Sequence, residues 1–167
     1  MIAALDVHYK ENYAKTVLLI FENWTSESYH ECIEVKTTEI TEYIPGEFYK
    51  RELPCLLEGL KRIDLNSIEV IIIDGYIYVD NEENSGLGGH LYHSLNEQIP
   101  IIGVAKTKFA NNSETAVEVF RGESKNPLYV SAVGIEKEKA AEQVKKMFGD
   151  YRLPHLLKIM DQKTKEE

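Results

Sequence analysis

Asp6 and Asp74 each stand where an apolar, β-type run stops being apolar. Met1-Ile2-Ala3-Ala4-Leu5 leads into the first, and Ile68-Glu69-Val70-Ile71-Ile72-Ile73 leads into the second. A carboxylate at the edge of a buried strand is costly unless a cation or a strong hydrogen-bond donor compensates it. Two such strand ends, together with Glu52, would make a hard-oxygen site suited to Mg²⁺ or Mn²⁺. Each residue also has a plain structural alternative. Asp74-Gly75 is a common turn pair, Glu52 fits the first turn of a helix, and Lys106 after a buried strand fits a solvent-facing cap.

The elements that must position these residues are legible as a series. Met1 to Tyr9, Lys15 to Glu22 and Tyr29 to Lys36 are expected to form antiparallel strands, with a hairpin connection over Asn23 to Ser28. Leu53, Leu56, Leu57 and Leu60 recur at helical spacing between Phe48 and Ile63, with Pro54 tolerable only in a first turn. Ile68 to Ile73 is nearly continuous in β-branched residues, which predicts a central strand covered on both faces. His90 to Glu97 is expected as a helix and Ile101 to Ala105 as a short buried strand. Ala116 to Phe120 and Leu128 to Val133 are expected as further strands. Glu136 to Phe148 and Tyr151 to Met160 are expected as helices. The glycine-rich stretch Asn81 to Gly89 is expected to be a mobile loop beside the site. This order describes an α/β protein, a mixed sheet of five or more strands with helices on both faces, and it suits an RNase H-like fold. Residues 1–161 are expected as a single domain and 162–167 as a frayed, disordered tail.

The 167 residues are 43% hydrophobic, enough for one domain with a sizeable core. No apolar stretch is long enough to cross a bilayer, so no membrane partner is expected. The N-terminus has no basic flank and meets Asp6 too early for a signal peptide, which makes a cytoplasmic location the expectation. Cys32 and Cys55 lack metal-ligand or redox spacing and are expected to be small apolar residues. The five histidines show no metal-ligand spacing either. A net charge of −9 argues against nucleic-acid binding by bulk electrostatics, yet clustered catalytic carboxylates themselves add negative charge. Basic residues must then gather on one face, with Lys50, Arg51, Lys106, Lys108, Arg121, Lys125, Arg152 and Lys158 as candidates.

Six segments, in order, resemble the endonuclease V family. Ala4-Leu5-Asp6-Val7 closes the first strand. Tyr43-Ile44-Pro45-Gly46 precedes Arg51-Glu52, and Ile73-Asp74-Gly75 ends a strand. Ile102-Gly103-Val104-Ala105-Lys106, Asn126-Pro127-Leu128-Tyr129-Val130 and Tyr151-Arg152-Leu153-Pro154 follow. The resemblance implies metal-binding carboxylates at Asp6, Glu52 and Asp74, an active-site lysine at Lys106, and a fourth ligand at Asp161. It implies a nucleic-acid wedge at Tyr43, Ile44, Pro45 and Gly46, for which a tight turn is the structural alternative. It places a base pocket at Gly75, Leu87, Gly88 and His90, with a surface role as the alternative for His90; Tyr76 and Tyr78 fit either base-stacking residues of such a pocket or ordinary strand residues.

The implied activity is metal-dependent hydrolysis of a phosphodiester 3′ to a deaminated base, deoxyinosine in DNA or inosine in RNA, in the service of repair. Mg²⁺ is the expected cofactor, Mn²⁺ a substitute, DNA or inosine-containing RNA the expected partner, and a monomer the expected state. The chain departs from the family after Asp74-Gly75, where Tyr76-Ile77-Tyr78-Val79-Asp80 stands in place of a histidine-containing segment, and again after Leu128-Tyr129-Val130. These losses keep an alternative open, a catalytically weak or inactive module that binds nucleic acid or a protein partner.

Overall fold

The aliphatic and β-branched runs form the strands that their composition predicts. The computed structural model describes residues 1–38, 45, 47, 49–109 and 111–167. Strands β1 (Ile2–Tyr9), β2 (Ala14–Phe21) and β3 (Glu31–Thr37) are followed by helix α1 (Tyr49–Leu60) and strand β4 (Val70–Asp74). Helix α2 (Leu87–Ser94) and strands β5 (Ile101–Ala105), β6 (Val117–Val119) and β7 (Leu128–Val133) come next. Helices α3 (Lys137–Lys146) and α4 (His155–Lys165) end the chain.

All seven strands join one sheet in the order β3-β2-β1-β4-β5-β7-β6. β1 lies antiparallel to β2 and parallel to β4, and β4 is parallel to β5. This is an RNase H-like mixed sheet with helices on both faces. The strand period of two divides the core. Ile2, Ala4, Val70, Ile72, Ile102 and Val104 join Val144, Leu156 and Met160 under α3 and α4. Ala3, Leu5, Ile71, Ile73 and Ile101 join Leu56, Leu60, Leu87 and Leu91 under α1 and α2. Because β1 and β4 are buried on both faces, their register is strongly specified. Leu5 stands opposite Ile73, so Asp6 and Asp74 leave the two strands at neighbouring positions.

Three local differences from the sequence expectation have physical causes. Pro54 is the sixth residue of α1, beyond a first turn, and its missing N–H leaves the Lys50 carbonyl without an i+4 donor. Helix α2 begins at Leu87, inside the stretch expected to be a mobile loop. A Cβ at Gly88 would collide with Ile77 and one at Gly89 with Ser85, so these glycines let the helix seat closely. The preceding residues are tied down as well. Val79 N–H donates to Asn84 O, and Asp80 accepts from the backbone of Glu82 and Asn84.

The third difference is at the end of the chain. Helix α4 continues to Lys165 where a frayed tail was expected from Gln162. Thr164 is buried, and the buried Lys15 ammonium donates to the carbonyls of Lys163 and Glu166, satisfying acceptors that a helix end leaves open. No helix among the described residues is long and apolar enough to cross a membrane.

Gly103 is where β5 meets the turn after Asp74. A Cβ there would press on the Gly75 carbonyl oxygen and lie 3.0 Å from Ser131 Oγ, while Gly75 itself has φ of 135°. Gly103→Ala is therefore expected to destabilise the fold by about 1–3 kcal/mol, as overpacking against backbone does. Urea denaturation of the two proteins measures this.

Candidate active site

Continuing the alternation of each strand by one step brings three of the candidate side chains to the α4 face. Ile2, Ala4 and Asp6 share that face of β1, Val70, Ile72 and Asp74 share it on β4, and Ile102, Val104 and Lys106 follow it on β5. Asp161 meets them from α4, one turn beyond Leu157. Asp6, Asp74, Lys106 and Asp161 line one cavity with an apolar floor of Ile72, Val104, Leu153, Leu157 and Met160. Lys106 Nζ lies 3.4 Å from Asp161 Oδ1 and 4.0 Å from Asp74 Oδ2. Lys165, one turn beyond Asp161 on α4, pairs with its other oxygen at 3.1 Å.

The electrostatics divide these acids into two kinds. Burial pushes the Asp6 carboxyl up to about 8, and the neighbouring Asp74 charge adds to the rise against an opposing hydrogen bond from Val7 N–H. Asp74 is also raised, by burial first and by Asp161, with Lys106 opposing. Burial and the Asp74 charge lift Glu52 to about 7. Asp161 goes the other way. Its burial is outweighed by the Lys165 hydrogen bond and the Lys106 cation, which hold it below the ordinary carboxylate range.

Glu52 stands in the first turn of α1, on the opposite face of the sheet, near enough to Asp74 to feel its charge. Its neighbour Arg51 stacks on the Tyr9 ring at 3.6 Å from the centroid, which fixes the start of the helix against the end of β1. Among the described residues, no three carboxylate, imidazole or thiol groups already stand close enough together to hold a metal ion. The donor set nevertheless fits a hard divalent cation. It is all oxygen, and Asp6, Glu52 and Asp74 are raised because their charges lack sufficient compensation.

The other sequence candidates are distributed as follows. Tyr43, Ile44 and Gly46 of the wedge lie outside the described residues, and Pro45 is exposed in a turn. Gly75 N–H donates to Val104 O beside Asp74. Leu87 is a core side chain, and Gly88 packs on Ile77. His90 stacks face to face on Tyr49 with centroids 3.7 Å apart. Tyr76 donates to the Thr107 carbonyl and tilts against Phe109. Of the basic candidates, Lys106, Arg152 and Lys158 line one cleft. Arg121 does not face solvent, being a buried donor to backbone carbonyls, and Lys50 pairs with Glu47.

Two neighbours of the site had no signal beyond periodicity. His8 is on the face of Asp6, two residues on, and feels the charges of Lys165 and Asp161. Lys165 falls in the stretch expected to fray, and its pairing with Asp161 depends on the longer helix.

The Endonuclease V family model matches residues 1–124. An endonuclease V of Pyrococcus horikoshii is 30% identical over 98% of this chain and 72% of its own length. One of Nostoc punctiforme is 28% identical over 71% of this chain, which spans 61% of that relative. Among solved structures, Ciona intestinalis endonuclease V in complex with a 23mer DNA containing an inosine followed by a ribo-adenosine superposes with a TM-score of 0.79. It covers 98% of this chain and 83% of that one at 18% identity.

Raised carboxyl groups have a direct consequence for stability. A group whose folded pKa exceeds its unfolded value stabilises the fold at low pH and loses that contribution as pH rises through the folded value. Asp6 has its window between 3.8 and about 8. In chelator, Asp6→Asn is expected to gain stability over the parent progressively across that window, reaching about 1–3 kcal/mol near pH 8. Denaturation curves of both proteins at a series of pH values check this. A gap that stays constant with pH contradicts it.

Proposed function

The chain belongs to the endonuclease V family, and from that we propose that it is a divalent-metal-dependent endonuclease acting beside a deaminated base. The bond hydrolysed is a phosphodiester on the 3′ side of deoxyinosine in DNA or inosine in RNA, one nucleotide beyond the lesion, which makes the protein a repair enzyme. The observation that carries the proposal is the convergence of Asp6, Asp74, Asp161 and Lys106 on one cavity, with Glu52 near enough to feel the Asp74 charge.

Asp6 and Asp74 from the strand ends and Glu52 from α1 would hold Mg²⁺, for which Mn²⁺ may be exchanged, and Asp161 stands beside them as a further oxygen donor. When bound, the cation supplies charge neutralisation at the phosphorus and acidifies the attacking water. The remaining work belongs to the chain. Lys106 is a point charge for the scissile phosphate, and Asp161 with Asp74 keeps its ammonium at the cavity. Arg152 donates to the carbonyls of Lys106 and Pro127, which sets the backbone that carries the lysine. The apolar floor of Leu153, Leu157 and Met160 limits water around the carboxylates and strengthens each charge interaction there. Tyr43 to Gly46 are assigned the wedge role by their motif, with Tyr43 as the side chain suited to press against a base step.

Matched oligonucleotides carrying one deoxyinosine, one inosine in RNA or neither, incubated with Mg²⁺ or Mn²⁺, test this. Nicking on the 3′ side of the lesion is expected, and the more readily cut oligonucleotide identifies the substrate. Asp74→Ala should reduce the rate by at least roughly a hundred-fold while leaving circular dichroism unchanged, and Lys106→Met by a comparable factor. Well-folded protein that cuts with neither metal would instead favour a binding module in which Lys106 remains paired to Asp161.

A further inference from the structure

A second cleft opens directly from the carboxylate cavity. Lys106 and Asp161 line both, and the cleft continues past Arg152, Lys158 and Lys165 to Phe148 and Tyr151. Its chemistry is unlike that of the molecule as a whole. The chain carries a net charge of −9, yet along this wall Lys106, Arg152, Lys158 and Lys165 outnumber two acids, Asp150 and Asp161, with Lys106 and Lys165 both paired to Asp161. Two aromatic rings lie on the same surface. Tyr151 is 80% exposed, the largest value among the exposed large apolar side chains of the described residues, and Phe148 is 37% exposed with His155 set edge-on against it.

An exposed tyrosine on a loose loop would mean little, but this one is held. Arg121 is buried and donates to the carbonyls of Met147, Gly149 and Tyr151, the turn that joins α3 to α4. Gly149 has φ of 120°, and Gly122, with φ of 59°, leaves no room for a Cβ beneath Asp150. His155 N–H donates to Phe148 O and closes the turn from the other side. The ring of Tyr151 is therefore presented to solvent on a backbone fixed from within, so ordering it against a ligand costs little.

We propose that this cleft binds an unpaired stretch of nucleic acid leading away from the cut site, with Tyr151 stacking on one of its bases. The inference rests on the nuclease function proposed above and names how that site holds its substrate. Positive charges tracking a phosphate backbone beside an exposed ring are the elements of sequence-tolerant single-strand binding, since every base offers a π-face while a paired base in a duplex does not.

The test is fluorescence anisotropy in chelator and low salt, with a labelled oligothymidylate and a fully paired duplex of the same length. The parent is expected to prefer the single strand. Tyr151→Ala, at a position too exposed to be needed for folding, should weaken single-strand binding roughly ten-fold and duplex binding by less than about two-fold. Tyr151→Phe, which keeps the ring, should restore the affinity. A parent that does not bind the single strand, an alanine variant that binds it as the parent does, or equal losses on both probes would overturn the proposal. Cleavage assays run alongside separate the two claims. Single-strand binding lost with Tyr151→Ala in a protein that never cuts would remove the nuclease function and leave the cleft as a binding surface. Cutting by a parent whose binding ignores Tyr151 would remove only the cleft.

Discussion

Everything at the site depends on the crowding of like charges at the ends of two parallel strands. Asp6 and Asp74 stand one step beyond Leu5 and Ile73, which are paired across the sheet, and adjacent strands lie about 4.8 Å apart. Carboxylates that close cannot all ionise without compensation, and burial makes the cost larger. The fold tolerates this because β1 and β4 are sealed by aliphatic side chains on both faces, which prevents either strand from slipping out of register. Stability supplied by the core thus keeps in place an arrangement that is unfavourable in itself, which is common where chemistry is done.

The cations around the cluster show a division of labour. Lys106 and Lys165 both turn to Asp161 and keep it ionised. Asp6 and Glu52 are instead raised by burial and by the Asp74 charge, which outweigh Lys106 at the one and Arg51 at the other. Arginines are used differently. Arg121, Arg152 and Arg51 are spent on backbone carbonyls or an aromatic ring, fixing the turn before α4, the carbonyl of Lys106 and the start of α1. The planar guanidinium suits that bracing role, while the lysines supply movable point charge near the cavity.

Sequence alone conveyed the strand-end acids well, because a long β-branched run interrupted by aspartate has few alternative explanations. It conveyed the strands to within about two residues and the mixed sheet with helices on both faces. It failed where glycine and charge carry their average meanings. Gly88 and Gly89 suggested a loose loop, but they serve the close seating of α2 on Ile77 and Ser85. The lysines and glutamates after Asp161 suggested fraying, yet Lys15 from β2 satisfies the carbonyls there and extends α4. Arg121 looked like a surface cation, and nothing in its neighbours signals that five carbonyls from the end of α3 and the turn after it would gather around it. Those contacts are non-local, and no periodicity reports them.

The role proposed for Asp6, Asp74 and Glu52 is to hold a hard divalent cation. Titration calorimetry of Mn²⁺ into the parent and into Asp6→Asn at neutral pH, each repeated in buffers of different ionisation enthalpy, tests it most directly. The account predicts saturable binding by the parent accompanied by proton release, and an affinity at least ten-fold weaker in Asp6→Asn, about 1.4 kcal/mol or more. Absence of binding by the folded parent, or equal affinity in the two proteins, would contradict it.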